Sequence, residues 1–127
     1  IPNYITFNNL TGSHGGSYEK VANVEGGWPT VGVAAQVVLD DTLSIISDVK
    51  IALAAVGDTA IRSPSMEKSL VGSVISMDSI SKSSELVSQD IDPLDDLSGS
   101  AEYKSHLAGV LSQRALIKAI NRAGGLL

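Results

Sequence analysis

Residues able to do chemistry concentrate between Gly12 and Trp28. Seventeen residues there hold five glycines, one of the two histidines, the single tryptophan and a Tyr-x-Lys pair. Tyr18 and Lys20 are two apart, so in an extended segment both side chains leave the same face. A ring and an ammonium can then meet one ligand together. Gly12, Gly15 and Gly16 free the backbone for positive φ and for close approach of a ligand or a neighbouring chain. Taken alone, the spacing describes a flexible loop that feeds a strand. Gly12-x-x-Gly15-Gly16 matches neither the dinucleotide G-x-G-x-x-G pattern nor a phosphate-binding Walker loop.

Elsewhere the side-chain chemistry is thin. Nucleophilic catalysis needs a nucleophile, a base and an orienting group. Serines are plentiful, but the histidines are only His14, in the glycine-rich stretch, and His106, beside an apolar helix stripe. Neither sits in a G-x-S-x-G context. No His-x-x-x-His or Glu-x-x-His spacing offers a metal two ligands on one helix face. The acidic run Asp90-Ile91-Asp92-Pro93-Leu94-Asp95-Asp96 lacks the glycine and closing glutamate of a calcium loop. Its acids suit the positive end of a helix better. Fourteen acids always contain some pair suited to hydrolysis, but nothing singles one out. No catalytic residue and no metal ligand is assigned.

The scaffold must therefore be read for what it positions. At 127 residues and 43% hydrophobic, the chain is expected to form one globular domain with a real core. Aromatics make up only 4%, so that core is aliphatic. A net charge of −5 argues against a nucleic-acid partner, because no Lys/Arg cluster exists to neutralise phosphates. No apolar run approaches the ~18 residues of a membrane span. The chain has no cysteine, hence no disulfide framework, thiolate metal site or iron–sulfur cluster of its own, which fits a cytoplasmic protein. It opens Ile1-Pro2, without an initiator Met or a signal-peptide pattern, as expected of a processed chain or an excised domain.

Tyr4-Ile5-Thr6-Phe7 reads as a short entry strand ended by Asn8-Asn9. From Val31 to Leu39 apolar residues alternate with Gly32, Ala34, Gln36 and Val38, the period of a strand whose second face is small. Such a strand belongs inside a sheet, with both faces covered or nearly so. After an Asp40-Asp41-Thr42 turn, Val49, Ile51, Leu53 and Ala55 alternate again and complete an antiparallel hairpin. Ser63-Pro64 marks a helix start, with Met66, Leu70 and Val71 on its face and Gly72 as its stop. A second helix carries Met77, Ile80, Ser84, Val87 and Ile91. The last runs from about Ser100 to Ala123. Its early stripe is Tyr103, Leu107, Val110 and Leu111; its later one, Leu116, Ile117 and Ile120, turns to another side. Lys118 and Arg122 suit its C-terminal dipole, and Gly124-Gly125 ends it. Strands first and helices after predict an α+β fold: an antiparallel sheet of three or four strands covered on one face by three helices.

Several segments, in this order, carry a resemblance. They are Gly16-Ser17-Tyr18-Glu19-Lys20-Val21, Trp28-Pro29-Thr30-Val31-Gly32-Val33-Ala34, Ile51-Ala52-Leu53, Ala60-Ile61-Arg62, Glu67-Lys68-Ser69-Leu70-Val71-Gly72, Gly99-Ser100-Ala101-Glu102-Tyr103-Lys104 and Gln113-Arg114-Ala115-Leu116. Together, from about Ser17 to Ala123, they resemble the C-terminal domain of the flavoprotein (medium) subunit of carbon monoxide dehydrogenase and xanthine dehydrogenase-type molybdenum hydroxylases.

The resemblance implies a C-terminal domain of a larger subunit, inactive alone, within an oxidoreductase that passes electrons from molybdenum through iron–sulfur clusters to FAD. It implies that FAD is held mainly by preceding domains, with Tyr18 beside the isoalloxazine and Lys20 facing the cofactor or its approach. Partners would be those N-terminal FAD-binding domains, the molybdopterin large subunit and the iron–sulfur small subunit. Residues 10–17 are then expected to be mobile in the lone chain and ordered beside the flavin. The family often reads basic residues and Gly-Asp-Trp where this chain has Asn23-Val24-Glu25-Gly26-Gly27-Trp28, which leaves Trp28 as a packing residue. A second reading is a non-catalytic interaction or dimerisation module on the same fold, without cofactor; FAD-binding sequence immediately upstream would decide between the two.

Overall fold

A computed structural model describes residues 12–22, 29–97 and 99–127 of the chain. The entry strand expected at 4–7 and the packing role of Trp28 lie outside them. Among the described residues four strands form one antiparallel sheet in chain order: β1 (Ser13–Ala22), β2 (Pro29–Leu39), β3 (Ile46–Ala54) and β4 (Ile61–Arg62). Three helices follow: α1 (Pro64–Leu70), α2 (Met77–Glu85), extended by a 3-10 turn over Leu86–Gln89, and α3 (Ala101–Arg122). This is the expected α+β architecture. No described helix is long and apolar enough to cross a membrane.

Alternation decides which face the helices cover. Val31, Val33, Ala35, Val37 and Leu39 of β2, and Val49, Ile51 and Leu53 of β3, are buried in one aliphatic core with Met66, Leu70, Ile80, Leu111, Leu116 and Ile120 from the helices. The other face of β2 is only partly shielded: Ala34, Gln36 and Val38 are half-buried. Among the described residues, small side chains there therefore do not mean a second covering layer, as their pattern had suggested.

The largest departure from expectation is β1. The stretch read as a mobile glycine loop is a strand from Ser13 onward, paired residue for residue with β2 (Gly15↔Val37, Tyr18↔Ala34, Lys20↔Gly32). Glycine hid it, because a strand with few apolar residues shows no alternation. Gly15 is needed for packing rather than mobility: a Cβ there would lie 2.6 Å from the Ala123 amide nitrogen and 2.9 Å from the Arg122 carbonyl carbon, and nearer still to Ala119 O. Gly12 does use positive φ (82°), as expected.

Helix α3 differs in its stripe. Buried Lys104, Ala108, Leu111, Ser112, Ala115, Leu116, Ala119 and Ile120 form one continuous face, whereas Tyr103 is 46% exposed. The stripe does not change direction; it begins at a lysine. Burial of that ammonium is compensated by Leu94 O at 2.8 Å and the Asp96 carboxylate at 2.7 Å. In α2, Ile80, Ser83 and Ser84 are buried and Val87 follows in the 3-10 turn, but Met77 is exposed.

Helix starts draw on the acidic run. The Ser63 hydroxyl does not cap its own helix; it donates to Asp90, whose carboxylate also accepts from Ser65 N at 3.0 Å. Ser76 caps α2 through Ser79 N at 3.1 Å. For α3, Ser100 accepts from Tyr103 N and Asp95 from Ala101 N. Gly72 (φ 83°) stops α1, as its position suggested.

Where β4 ends, a side chain continues its pairing. Ser63 N donates to Ile51 O, while Ile51 N donates to Glu67 Oε2 at 3.1 Å. Arg62 grips the same carboxylate through Nε (2.7 Å) and a second guanidinium nitrogen (2.5 Å). Burial pushes the Glu67 carboxyl upward, but hydrogen bonds from Arg62 and Ile51, with the charges of Arg62 and Lys50, outweigh it and hold it below its ordinary 4.5.

Two predictions follow from these contacts. Gly15→Ala should destabilise the chain by ~1–3 kcal/mol, because the methyl meets helix backbone that cannot step aside. Gly16→Ala, whose methyl meets only ordinary contact at 3.5 Å, should be neutral or stabilising by up to about 1 kcal/mol. Denaturant melts giving both variants the same loss would contradict this packing. A carboxyl depressed by folding adds stability that is present above its unfolded value and lost as pH falls through the folded one. The stability gap between wild type and Glu67→Gln should thus be full at neutral pH and close as pH drops below 4.5. Parallel stability curves across that range would refute the role given to Glu67.

Candidate functional site

Because β1 is a true strand, its even positions leave the helices and face outward. His14, Gly16, Tyr18 and Lys20 are all exposed, and register places them beside Val38, Gln36, Ala34 and Gly32 of β2. Across β2 lie Asp48, Lys50, Ala52 and Ala54 of β3. The result is an open sheet face with a floor of glycine and alanine, one aromatic ring and two lysines. The two residues singled out by sequence, Tyr18 and Lys20, are brought together on it as their spacing required.

Tyr18 is 54% exposed. Its ring crosses diagonally onto β2, with the hydroxyl end over Gly32. A Cβ at that glycine would stand 3.0 Å from Cζ and 3.2 Å from Cε1, and closer to Oη. Gly32 is accordingly buried although nothing from the helical layer covers this side. Sequence reading took Gly32 as a small residue inside a strand and missed its relation to Tyr18. The signal was available only through register, since the two are fourteen positions apart and meet by cross-strand pairing.

The face is basic although the chain is acidic. Lys20 and Lys50 are exposed on it, with Asp48 as its acid. Arg62, next to Ala52 in register, is engaged by Glu67, whose hydrogen bond and charge raise its pKa. On the opposite side Glu19 is turned inward and paired with Lys118 of α3. The charge of this segment is thereby sorted, anion toward the helix and cation toward the open face.

The remaining candidates stay apart. His14 Nδ1 lies 3.1 Å from the Gly12 carbonyl oxygen, and His106 is exposed on α3. Among the described residues no group of three or more His, Cys, Asp or Glu could hold a metal. The face can offer a planar ring an aromatic neighbour, an ammonium and a floor of small residues.

Known proteins share this fold. Residues 16–119 match the CO dehydrogenase flavoprotein C-terminal domain. The carbon monoxide dehydrogenase medium chain of Hydrogenophaga pseudoflava is 32% identical over 102 residues, covering 80% of this chain and 35% of that one. The 6-hydroxypseudooxynicotine dehydrogenase complex subunit alpha of Paenarthrobacter nicotinovorans is 29% identical, over 86% of this chain and 36% of that one. Among solved structures, carbon monoxide dehydrogenase from H. pseudoflava superposes with a TM-score of 0.83 at 30% identity, covering 89% of this chain and 39% of that one. Quinoline 2-oxidoreductase from Pseudomonas putida 86 gives 0.80 at 26% identity, over 87% and 38%. The chain thus spans little more than a third of each protein it matches. With most of its length aligned and its fold in common, the chain belongs to the CO dehydrogenase flavoprotein C-terminal domain family.

Proposed function

We propose that the chain is a single domain, the C-terminal part of the FAD-containing medium subunit of a molybdenum hydroxylase of the carbon monoxide dehydrogenase type. It would work in the cytoplasm with a molybdopterin large subunit and an iron–sulfur small subunit. In this reading it is inactive alone. The observation that carries it is the open face of β1 and β2, where Tyr18 and Lys20 stand side by side on a floor of small residues.

The residues fit part of a flavin site and not the whole of one. A half-exposed tyrosine beside a lysine suits the rim of a planar ring. A diphosphate is commonly gripped by free N–H groups at a helix start, and here each start is already capped: α1 by Asp90, α2 by Ser76, α3 by Ser100 and Asp95. The phosphates would therefore belong to the domains that precede this one. FAD, when bound, supplies the acceptance of two electrons. What this chain supplies is a ring that shields one side of the cofactor from water, and a cation whose charge favours added electron density nearby. The substrate pocket of the hydroxylase would belong to another subunit.

In the full-length subunit, Tyr18→Ala and Lys20→Ala should alter the absorbance and reduction potential of the bound flavin. Both should cost about 1 kcal/mol or less in stability, as surface changes do. Leu53→Ala, in the core, should cost ~2–5 kcal/mol. A flavin spectrum and potential indifferent to both surface changes, or a Tyr18→Ala variant as unstable as Leu53→Ala, would overturn the role of this face.

A further inference from the structure

Resting on the flavin-facing reading of Tyr18, we propose that Gly32 is a positioning residue that fixes where the Tyr18 ring lies. Gly32 is directly opposite Lys20 in the β1–β2 register, one open-face position along from Ala34, the partner of Tyr18. The ring leans diagonally across that step and puts its hydroxyl end where a side chain at position 32 would be. Backbone conformation does not require this glycine, since Gly32 is absent from the positive-φ glycines Gly12, Gly72, Gly99 and Gly124. The requirement is space for the hydroxyl end of the ring.

A contrast within the same strand pair sharpens the point. At Gly15 an added methyl meets helix backbone, so the fold must give. At Gly32 it meets the far end of one side chain, so the ring gives and the fold does not. Gly32 therefore controls ring height with little hold on stability. With glycine the phenol lies down beside the strand position of Lys20, and the aromatic and the ammonium act on one spot. With alanine the ring must lift away from the sheet and the pair separates.

The test has one arm without cofactor and one with it. In the 127-residue chain, NMR of ring-labelled tyrosine should show close contacts between the Tyr18 ring and the Gly32 Hα protons. Gly32→Ala should displace the Tyr18 ring resonances, leaving the fold's dispersed spectrum otherwise intact. Tyr18 resonances unchanged in Gly32→Ala would overturn the proposal. In the full-length subunit loaded with FAD, Gly32→Ala should change the flavin spectrum in the direction of Tyr18→Ala, and the double variant should add nothing further. Additive effects would overturn it. A ring that moves in the first arm while Tyr18→Ala leaves the flavin unchanged in the second would instead refute the flavin role of Tyr18 itself. The two failures are thus separable. Should Gly32→Ala prove unstable, Tyr18→Phe with Gly32 kept reads the same contact, since it removes only the hydroxyl lying over the glycine.

Discussion

The close seating of α3 against β1 is the constraint on which the rest of the structure depends. At Gly15 the strand and the last turns of the helix approach until no side chain fits between them. Two basic residues of α3 hold the contact from above: Lys118 pairs with Glu19, and an Arg122 guanidinium nitrogen donates to Gly16 O at 2.8 Å. Sequence reading assigned both to the helix dipole, and their partners in fact lie on the strand. Once β1 is pinned in this orientation, a period of two does the sorting. Odd positions go to the helix, even positions to the open face, and Tyr18 and Lys20 have no other place to go.

Legibility in the sequence followed how purely local each signal was. The β2–β3 hairpin and the bounds of α1 and α3 were readable because alternation, a Ser-Pro start and terminal glycines act within a few residues. Strand β1 was not, because its evidence is tertiary: only the passing helix explains why Gly15 lacks a side chain. The burial of Lys104 gave no local signal, for a similar reason. A lysine interrupts an apolar stripe on paper, but Asp96 and the Leu94 carbonyl wait for it in space. Of the open face, the Tyr18–Lys20 pair was legible from spacing, whereas Gly32 beneath the ring needed the register.

The acidic run shows how function is constrained by what the fold has already used. Asp90, Asp95 and Asp96, which as a cluster might suggest a cation, serve a helix start, a second helix start and a buried ammonium in turn. With the helix starts occupied by the chain's own oxygens, the surface proposed to meet the cofactor is the open face of β1 and β2. That surface carries two lysines on an acidic chain and is floored largely with glycine and alanine.

Its coverage in the assembled subunit is the point on which this account stands. The absence of native cysteine from the chain makes site-directed labelling clean. Gln36→Cys places a thiol on the open face, and Arg114→Cys places one on the exposed side of α3. Thiol labelling, read on each modified peptide, should find both reactive in the isolated chain. In the flavin-loaded full-length subunit, Gln36→Cys should become strongly protected while Arg114→Cys labels as before. Equal labelling of Gln36→Cys in the two settings would mean that the open face meets only water, and the central claim would fall.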